Sequence, residues 1–455
     1  MSTVFPRHIR RVILLWVVGL LGACGTARAS APDARTPVRW LDDAAAGAAR
    51  ACAAPAAATS NPRSTTKTAP TSVGGGERWS APALAWNELL LELIVKYQQN
   101  PLRAARNLAL LHAALHDALL LCGQCTDAAV RLALHAAASG VLEHLYPDES
   151  PGRFGALARA AAATDAAASV AAAEVQRAWS AGCRAGAAAI WRALDDGADL
   201  PRLPAERPAE RPGIWRAAPP LNSADPTEPR AAQWRTWVLS SGAELQPPPP
   251  PPYGSALHRA EVEEVLRVAR QLTPAQRQLA LEWNLDLGTV TPAGVWNRQA
   301  RRLAVDSAMD QAQTVRLLAA LNVAMADAFI ACWQAKYQWW SERPVTVIRR
   351  ELQADFLPLI ITPPFPSYVS GHATASGAAA TVLAAFFPPR AAALQRLAEE
   401  AAESRLYGGI HTRSDNAAGL ALGRAIGARV LGRLFPQDLD LHRPQGDADD
   451  AGGAR

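Results

Sequence analysis

The chain has 455 residues, 49% hydrophobic and 19% charged, enough to bury the core of one large or two medium globular domains. A formal charge of +5, carried mostly by dispersed arginines with no dense basic block among aromatics, argues against nucleic acid as a partner. Alanine dominates the composition, so helix is the default expectation.

In chain order, the first element is an export signal. "RHIRR" supplies a positive n-region, and residues 12–21, "VILLWVVGLL", form an apolar core too short to span a bilayer comfortably. Residues 21–24, "LGAC", resemble the lipobox of bacterial lipoproteins, which would make Cys24 the lipidated first residue of the mature chain. A competing cleavage after "ARA" at Ala29 would release a secreted protein, and the Arg10-Arg11 pair also permits a twin-arginine route. The expected location is therefore outside the cytoplasm: periplasmic or tethered to the outer membrane, alternatively secreted. No later stretch carries the ~18 consecutive apolar residues of a spanning helix, so the membrane is expected as a partner only through that N-terminal lipid. Residues 25–79, rich in Ala, Pro, Ser and Thr, read as a flexible tether.

Helical patterning begins at residue 80, and an N-terminal helical bundle is expected over 80–200. Pro101 stands at a plausible first helical position of "PLRAARNLALLHAALHDALLL". There His112, His116 and Asp117 have a spacing that invites a metal, but no third ligand is near, so core or interhelical hydrogen bonding is expected. "CGQC", residues 122–125, ends a helical pattern without strand-then-helix context. A small structural disulfide or two free thiols is expected there rather than a redox pair. Six cysteines fit an oxidising compartment. Residues 201–255 break the pattern with repeated prolines, and the six at 247–252 form a stiff extended strap. Helical patterning returns over 256–435, and a polar tail fills 436–455. Strand-like alternation is scarce, so the expected class is all-α, two helical bundles joined by a Pro-rich crossover.

Three segments carry chemistry. In "CWQAKYQWWSERP", residues 332–344, Lys336 and Arg343 are seven apart and are expected to share one helical face. Trp333 and Trp340 each precede one of those cations by three residues, and Pro344 is expected to end the helix at Arg343. In "SGH", Ser370, Gly371 and His372 open a good helix sequence. Unpaired amides at a helix start, a close backbone approach at Gly371 and a titratable imidazole suit an oxyanion. In "ESRLYGGIHTRSDNAAG", Arg405 precedes His411, and Asp415 lies four residues beyond it. Sharing a turn would let Asp415 fix the His411 tautomer. Taken singly, each segment also has a structural reading: a salt-bridged surface face, a serine N-cap, a helix-capping aspartate.

The ordered set Lys336, Arg343, Pro344, Ser370, Gly371, His372, Ser404, Arg405, His411 and Asp415 resembles the signature of the superfamily uniting type 2 phosphatidic acid phosphatases with vanadium-dependent haloperoxidases. Val369 stands where that family usually has proline before Ser-Gly-His. "NPLRAARNLALLHAALHDA", "PGIWRAAPP" and the proline run are similar to the soluble bacterial haloperoxidase-like branch, over about residues 80–435. The resemblance implies an active site in the C-terminal four-helix bundle. It implies vanadium on His411, or a phosphoryl group in a phosphatase, with Asp415 orienting that ring and His372 as acid/base. Lys336, Arg343, Ser370, Gly371 and Arg405 would bind the oxyanion, with Trp333 and Phe365 as aromatic pocket wall.

The activity implied first is a haloperoxidase that uses vanadate, hydrogen peroxide and halide. The alternative is a secreted acid phosphatase working through a phosphohistidine with no cofactor. A binding-only oxyanion protein is the third class. Either enzyme would act on a small-molecule substrate, and a homo-oligomer is compatible with the sequence.

Overall fold

The computed structural model describes residues 38–42, 81–166, 170–200 and 207–435. The export signal with Cys24, most of the expected tether and the tail 436–455 lie outside the described residues. Alanine- and leucine-rich stretches give the first five helices: α1 (Pro82–Lys96), α2 (Pro101–Cys122), α3 (Asp127–Leu145), α4 (Arg153–Ala166) and α5 (Ala172–Asp195). Asn100 caps α2 by accepting from the amides of Leu102 and Arg103, with Pro101 at the first helical position as expected.

The C-terminal half adds α6 (Ala256–Arg270), α7 (Pro274–Glu282), α8 (Thr291–Asp306), α9 (Gln311–Trp339), α10 (Pro344–Glu351), α11 (Gly371–Phe386), α12 (Ala391–Tyr407) and α13 (Arg413–Leu434). No strand is found among the described residues, only an isolated bridge between Ile214 and Ser341. The protein is all-α. The described residues all belong to one compact unit.

Helix α9 lies at its centre, packed on α2 on the N-terminal side and on α11 and α13 on the C-terminal side. It is apolar and long enough to cross a membrane, but its most apolar window is 94% buried within the protein, which marks a core helix. Helices α11 and α13 approach closely because glycines line the crossing. A Cβ at Gly423 would stand 2.0 Å from the Thr374 carbonyl oxygen, and one at Gly419 would stand 2.8 Å from the Ser370 carbonyl oxygen. That crossing fixes the start of α11 against the start of α13.

Residues 38–42, inside the stretch expected as a tether, are packed. Trp40 and Leu41 are buried, and their amides donate to the two carboxylate oxygens of Asp117, both at 3.0 Å. His112 bonds Asn87 Oδ1 at 2.9 Å, and His116 bonds Asp117 at 3.3 Å, so these residues serve hydrogen bonding within the N-terminal helices. Cys122 and Cys125 form a disulfide just beyond α2, the structural outcome expected of "CGQC". Residues 207–255 hold a single 3₁₀ turn, Ala231–Gln233, and otherwise run irregularly.

If the glycine-lined crossing sets the fold, Gly423→Ala should cost about 1–3 kcal/mol or more through overpacking. Gly140→Ala, on α3 with no neighbour within 4 Å, should instead stabilise by about 0.5–1 kcal/mol. Denaturant unfolding of the two variants checks this, and equal effects would remove the crossing from the argument.

Candidate oxyanion site

Lys336 stands in the last turn of α9 and is fully buried. Its Nζ donates to the carbonyls of Pro366 at 2.9 Å and Ser367 at 2.8 Å. Burial pushes the ammonium down to about 7. Arg343 does not share that helix. Helix α9 stops at Trp339, Trp340 turns into the left-handed region at φ 49°, and Arg343 is the N-cap residue of α10. Pro344 therefore opens a helix instead of ending one, because a residue without an N–H suits the first turn. Trp340 packs against Tyr337 and Trp215.

The reversal of the chain still returns the Arg343 guanidinium to the site. Its Nε donates to the Phe365 carbonyl at 2.8 Å, and its Nη1 reaches the Ile410 carbonyl at 2.9 Å and His411 Nε2 at 3.2 Å. Nη2 is buried without a hydrogen-bond partner. Burial lowers this guanidinium to about 10.

Ser370 is the N-cap of α11, its Oγ accepting from the Ala373 amide at 3.4 Å while its own amide donates to the Asp415 carbonyl at 2.9 Å. Gly371 and His372 follow as the first helical residues, whose amides have no intrahelical acceptor. Val369 is buried, its peptide with Tyr368 is cis, and its carbonyl lies 3.5 Å from Cys332 Sγ. The helix start is thus formed with valine in the family's proline position.

The end of α7 holds two further groups. His372 Nε2 lies 2.8 Å from the Trp283 carbonyl, and Arg405 Nη2 donates to the Ala280 carbonyl at 3.1 Å. A carbonyl only accepts, so Nε2 carries the ring proton and Nδ1 is the acceptor. Burial, with Arg405 and His411 nearby, holds His372 well below its ordinary value, so the ring is neutral. Arg405, 1% exposed, also donates from Nε to Ser404 Oγ at 3.0 Å, and burial lowers it to about 9.

His411 precedes α13, and Asp415 is the third residue of that helix. Asp415 closes a capping box with Thr412 and also bonds His411 Nδ1 at 2.8 Å, so the structural and functional readings of this residue coincide. Burial alone would raise the Asp415 carboxyl, but the hydrogen bonds from His411 and Ser367 hold it below its ordinary value. As a carboxylate it only accepts, so His411 carries its proton on Nδ1 and its lone pair on Nε2. Burial, reinforced by Arg343, lowers His411 to about 3.

These residues surround a cavity of about 60 Å³, lined by Gly371, His372, Arg405 and His411 at its polar end and by Phe329, Trp333 and Phe365 on its wall. Lys336, Arg343 and Ser370 are not part of that lining: Lys336 and Arg343 lie beside the Phe365 ring, Arg343 also meets His411, and Ser370 precedes Gly371. The Phe365 ring lies 5.0 Å from Lys336 Nζ and 4.8 Å from the Arg343 guanidinium carbon, and 4.9 Å from the Trp333 ring. Of the oxyanion-site residues expected from the sequence, Gly371, His372, Arg405, His411, Trp333 and Phe365 line this cavity, while Lys336, Arg343 and Ser370 do not, and Asp415 borders a separate cleft and is joined to the site through His411. Among the described residues no group of three or more His, Cys, Asp or Glu gathers as for a metal cation. This donor set is the opposite kind. Three buried cations meet one buried carboxylate, Asp415, and one half-buried carboxylate, Asp286, which lines the cavity and pulls Arg405 upward. The orphan Arg343 Nη2 and the helix-start amides complete a site that fits a tetrahedral oxyanion such as vanadate or phosphate.

Sequence reasoning missed Phe329, the α7 carbonyls and Ser367. Phe329 was signalled by its place four residues before Trp333 and seven before Lys336, one helical stripe. The backbone carbonyls left no sequence signal.

Residues 316–392 and 389–435 match the VCPO second helical-bundle domain family. The vanadium chloroperoxidase of Curvularia inaequalis is 30% identical over a segment covering 26% of this chain and 26% of that protein. The match therefore spans about a quarter of that relative's length. Among solved structures, the first bacterial vanadium-dependent iodoperoxidase superposes with a TM-score of 0.66 at 25% identity, covering 81% of this chain and 98% of the other. An apo-type bacterial vanadium-dependent chloroperoxidase shares the fold, with a TM-score of 0.59 at 15% identity over 74% of this chain and 95% of the other. The C-terminal bundle is thus related to the VCPO second helical-bundle domain, and the fold of the chain is that of the bacterial vanadium-dependent haloperoxidases.

Proposed function

We propose that the chain is a vanadate-dependent haloperoxidase that uses hydrogen peroxide to oxidise halide to hypohalous acid. The observation that carries this reading is a cation-rich, oxyanion-sized cavity with an orphan guanidinium donor, walled by Phe329, Trp333 and Phe365. Bound vanadate supplies a Lewis-acidic centre that activates peroxide toward halide without itself changing oxidation state.

The protein's share is binding and proton handling. Lys336, Arg343, Arg405, Ser370 and the Gly371 amide would hold the oxyanion and offset its negative charge with preorganised donors. His411 would offer its Nε2 lone pair to the anion, and Arg343 Nη1, which lies 3.2 Å from that nitrogen, would be free to donate to the anion instead. His372 Nδ1 takes the proton that peroxide gives up and returns a proton as water leaves. The balance is one halide, one peroxide and one proton giving hypohalous acid and water, with two electrons passing from halide to peroxide. The aromatic wall strips water from the halide.

The neutral His411 with a bare Nε2 is equally suited to accept a phosphoryl group, which makes phosphomonoester hydrolysis the alternative. The proposal includes export, with Cys24 as a lipidation point.

A paired assay separates the readings. Dye halogenation with peroxide and bromide should appear only with added vanadate; phosphate monoester hydrolysis inhibited by vanadate, with no halogenation, would replace the proposal by the phosphatase. In either assay His411→Ala should abolish activity. Arg405→Ala should lower kcat by about a hundredfold or more. Arg302→Ala, an exposed arginine, should have no effect, and an equal loss at Arg302 would return Arg405 to a structural role.

Oxyanion affinity should also fall as pH rises. Free Lys336 titrates at about 7, and a bound anion favours its charged form. Below that pH the proton is already present, whereas above it each binding event must take one up. Affinity then drops by about tenfold per pH unit. Calorimetry with sulfate, whose charge is constant through this range, should show the decline, and Lys336→Met should flatten it. A pH-independent affinity in the unsubstituted chain would refute this role for Lys336.

A further inference from the structure

Ser367 stands between the two halves of the site and is 2% exposed. Its carbonyl accepts from Lys336 Nζ at 2.8 Å, and its amide donates to the Ser341 carbonyl at 3.0 Å. Its hydroxyl donates to Asp415 Oδ2 and lies 3.5 Å from His411 Nδ1. Asp415 Oδ2 thus receives three donors: the Ser367 hydroxyl, His411 Nδ1 at 2.8 Å and the Thr412 amide at 3.3 Å. An aspartate carboxylate rotates over a broad torsional range unless its partners hold it. Of the three donors, only the Ser367 hydroxyl comes from outside the segment that carries His411 and Asp415. It is anchored through backbone bonds on both sides.

A second cavity gives that hydroxyl something to exclude. Ser367, Thr412 and Asp415 border an open cleft whose other walls include Pro250 and Tyr253 of the proline-rich stretch, apart from the cavity lined by His411. Without the hydroxyl, water from this cleft can reach Asp415 Oδ2 and compete with His411.

We propose that Ser367 is a positioning residue: its hydroxyl fixes the Asp415 carboxylate in the orientation that keeps His411 in its Nδ1–H tautomer, so that Nε2 presents a lone pair to the oxyanion. The inference rests on the reading of the neighbouring cavity as an oxyanion site. It adds a partner that the family signature above does not contain, and it concerns the free protein as much as the loaded one. Loss of the hydroxyl allows His411 to populate the Nε2–H tautomer, which has no Nε2 lone pair to offer the anion.

The test uses the full chain labelled with ¹⁵N-histidine, with His411 assigned by loss of its signals in His411→Ala. In the anion-free unsubstituted protein, His411 should show one neutral tautomer protonated on Nδ1. In Ser367→Ala its ring nitrogens should shift toward the average of two tautomers, and calorimetric affinity for vanadate and for phosphate should fall by about tenfold or more. Ser367→Thr, which keeps the hydroxyl, should restore both. Ser367→Cys, similar in size with a weak donor, carries the same expectation as alanine if the alanine variant fails to fold. An unchanged His411 tautomer in the hydroxyl-free variant overturns the proposal, whether or not affinity falls, since a loss of affinity alone would mark a structural role. If the unsubstituted chain binds neither anion, the oxyanion reading fails, while the tautomer measurement still decides what Ser367 does to His411.

Discussion

Three cationic side chains taken out of water, with main-chain carbonyls as their chief partners, are the constraint on which the rest of the structure depends. Burying a charge is expensive unless it is paired and hydrogen-bonded. Lys336 and Arg343 meet the carbonyls of Phe365, Pro366, Ser367 and Ile410, and Arg405 meets that of Ala280. Carbonyls supply dipoles but no net negative charge, so all three cations sit below their ordinary values. The Phe365 face, within 5.0 Å of both Lys336 and Arg343, adds a further weak partner. The site is therefore short of negative charge, and a tetrahedral anion would supply what is missing.

Holding those carbonyls in place is the task of the surrounding chain. The stretch 363–370 carries most of them, and the proline-rich region fastens it. Thr227 donates its amide to the Pro364 carbonyl and accepts from Trp333 Nε1 and the Tyr337 hydroxyl, while the Tyr368 hydroxyl bonds the Pro248 carbonyl. From the other side, the glycine-lined crossing of α11 and α13 seats the Ser370 amide on the Asp415 carbonyl. The buried cations and the two histidines thus lie at helix starts and helix ends, with the helices themselves as rigid supports.

That arrangement explains what the sequence could reveal. Side-chain identity and order carried the signature, so Lys336, Arg343, Ser370, His372, Arg405, His411 and Asp415 were legible together although each was ambiguous alone. The helical class was legible from composition and caps, and so was the serine cap of α11. Local geometry was less so. Spacing placed Lys336 and Arg343 on one helix, yet Trp340 in the left-handed region breaks it, and two residues seven apart meet by a chain reversal instead. Residues 38–42 were read as tether because the stretch around them is rich in Ala, Pro, Ser and Thr; their order comes from Asp117, 76 and 77 residues away in sequence from Leu41 and Trp40. The Ala280 and Trp283 carbonyls were invisible because every residue owns a carbonyl, and only the fold decides which ones face a cation.

The two histidines show how such backbone choices divide chemical roles. Both are neutral in the free site, but His411 gives its proton to a carboxylate and His372 gives its proton to a carbonyl. The carboxylate makes His411 Nε2 the more electron-rich nitrogen, suited to meet an electrophilic centre. His372 has no such partner and is held neutral by burial, with Arg405 next among the causes. An anion that engages Arg405 would offset that positive charge and make His372 easier to protonate. The ease of protonating His372 would thereby depend on whether an anion engages Arg405.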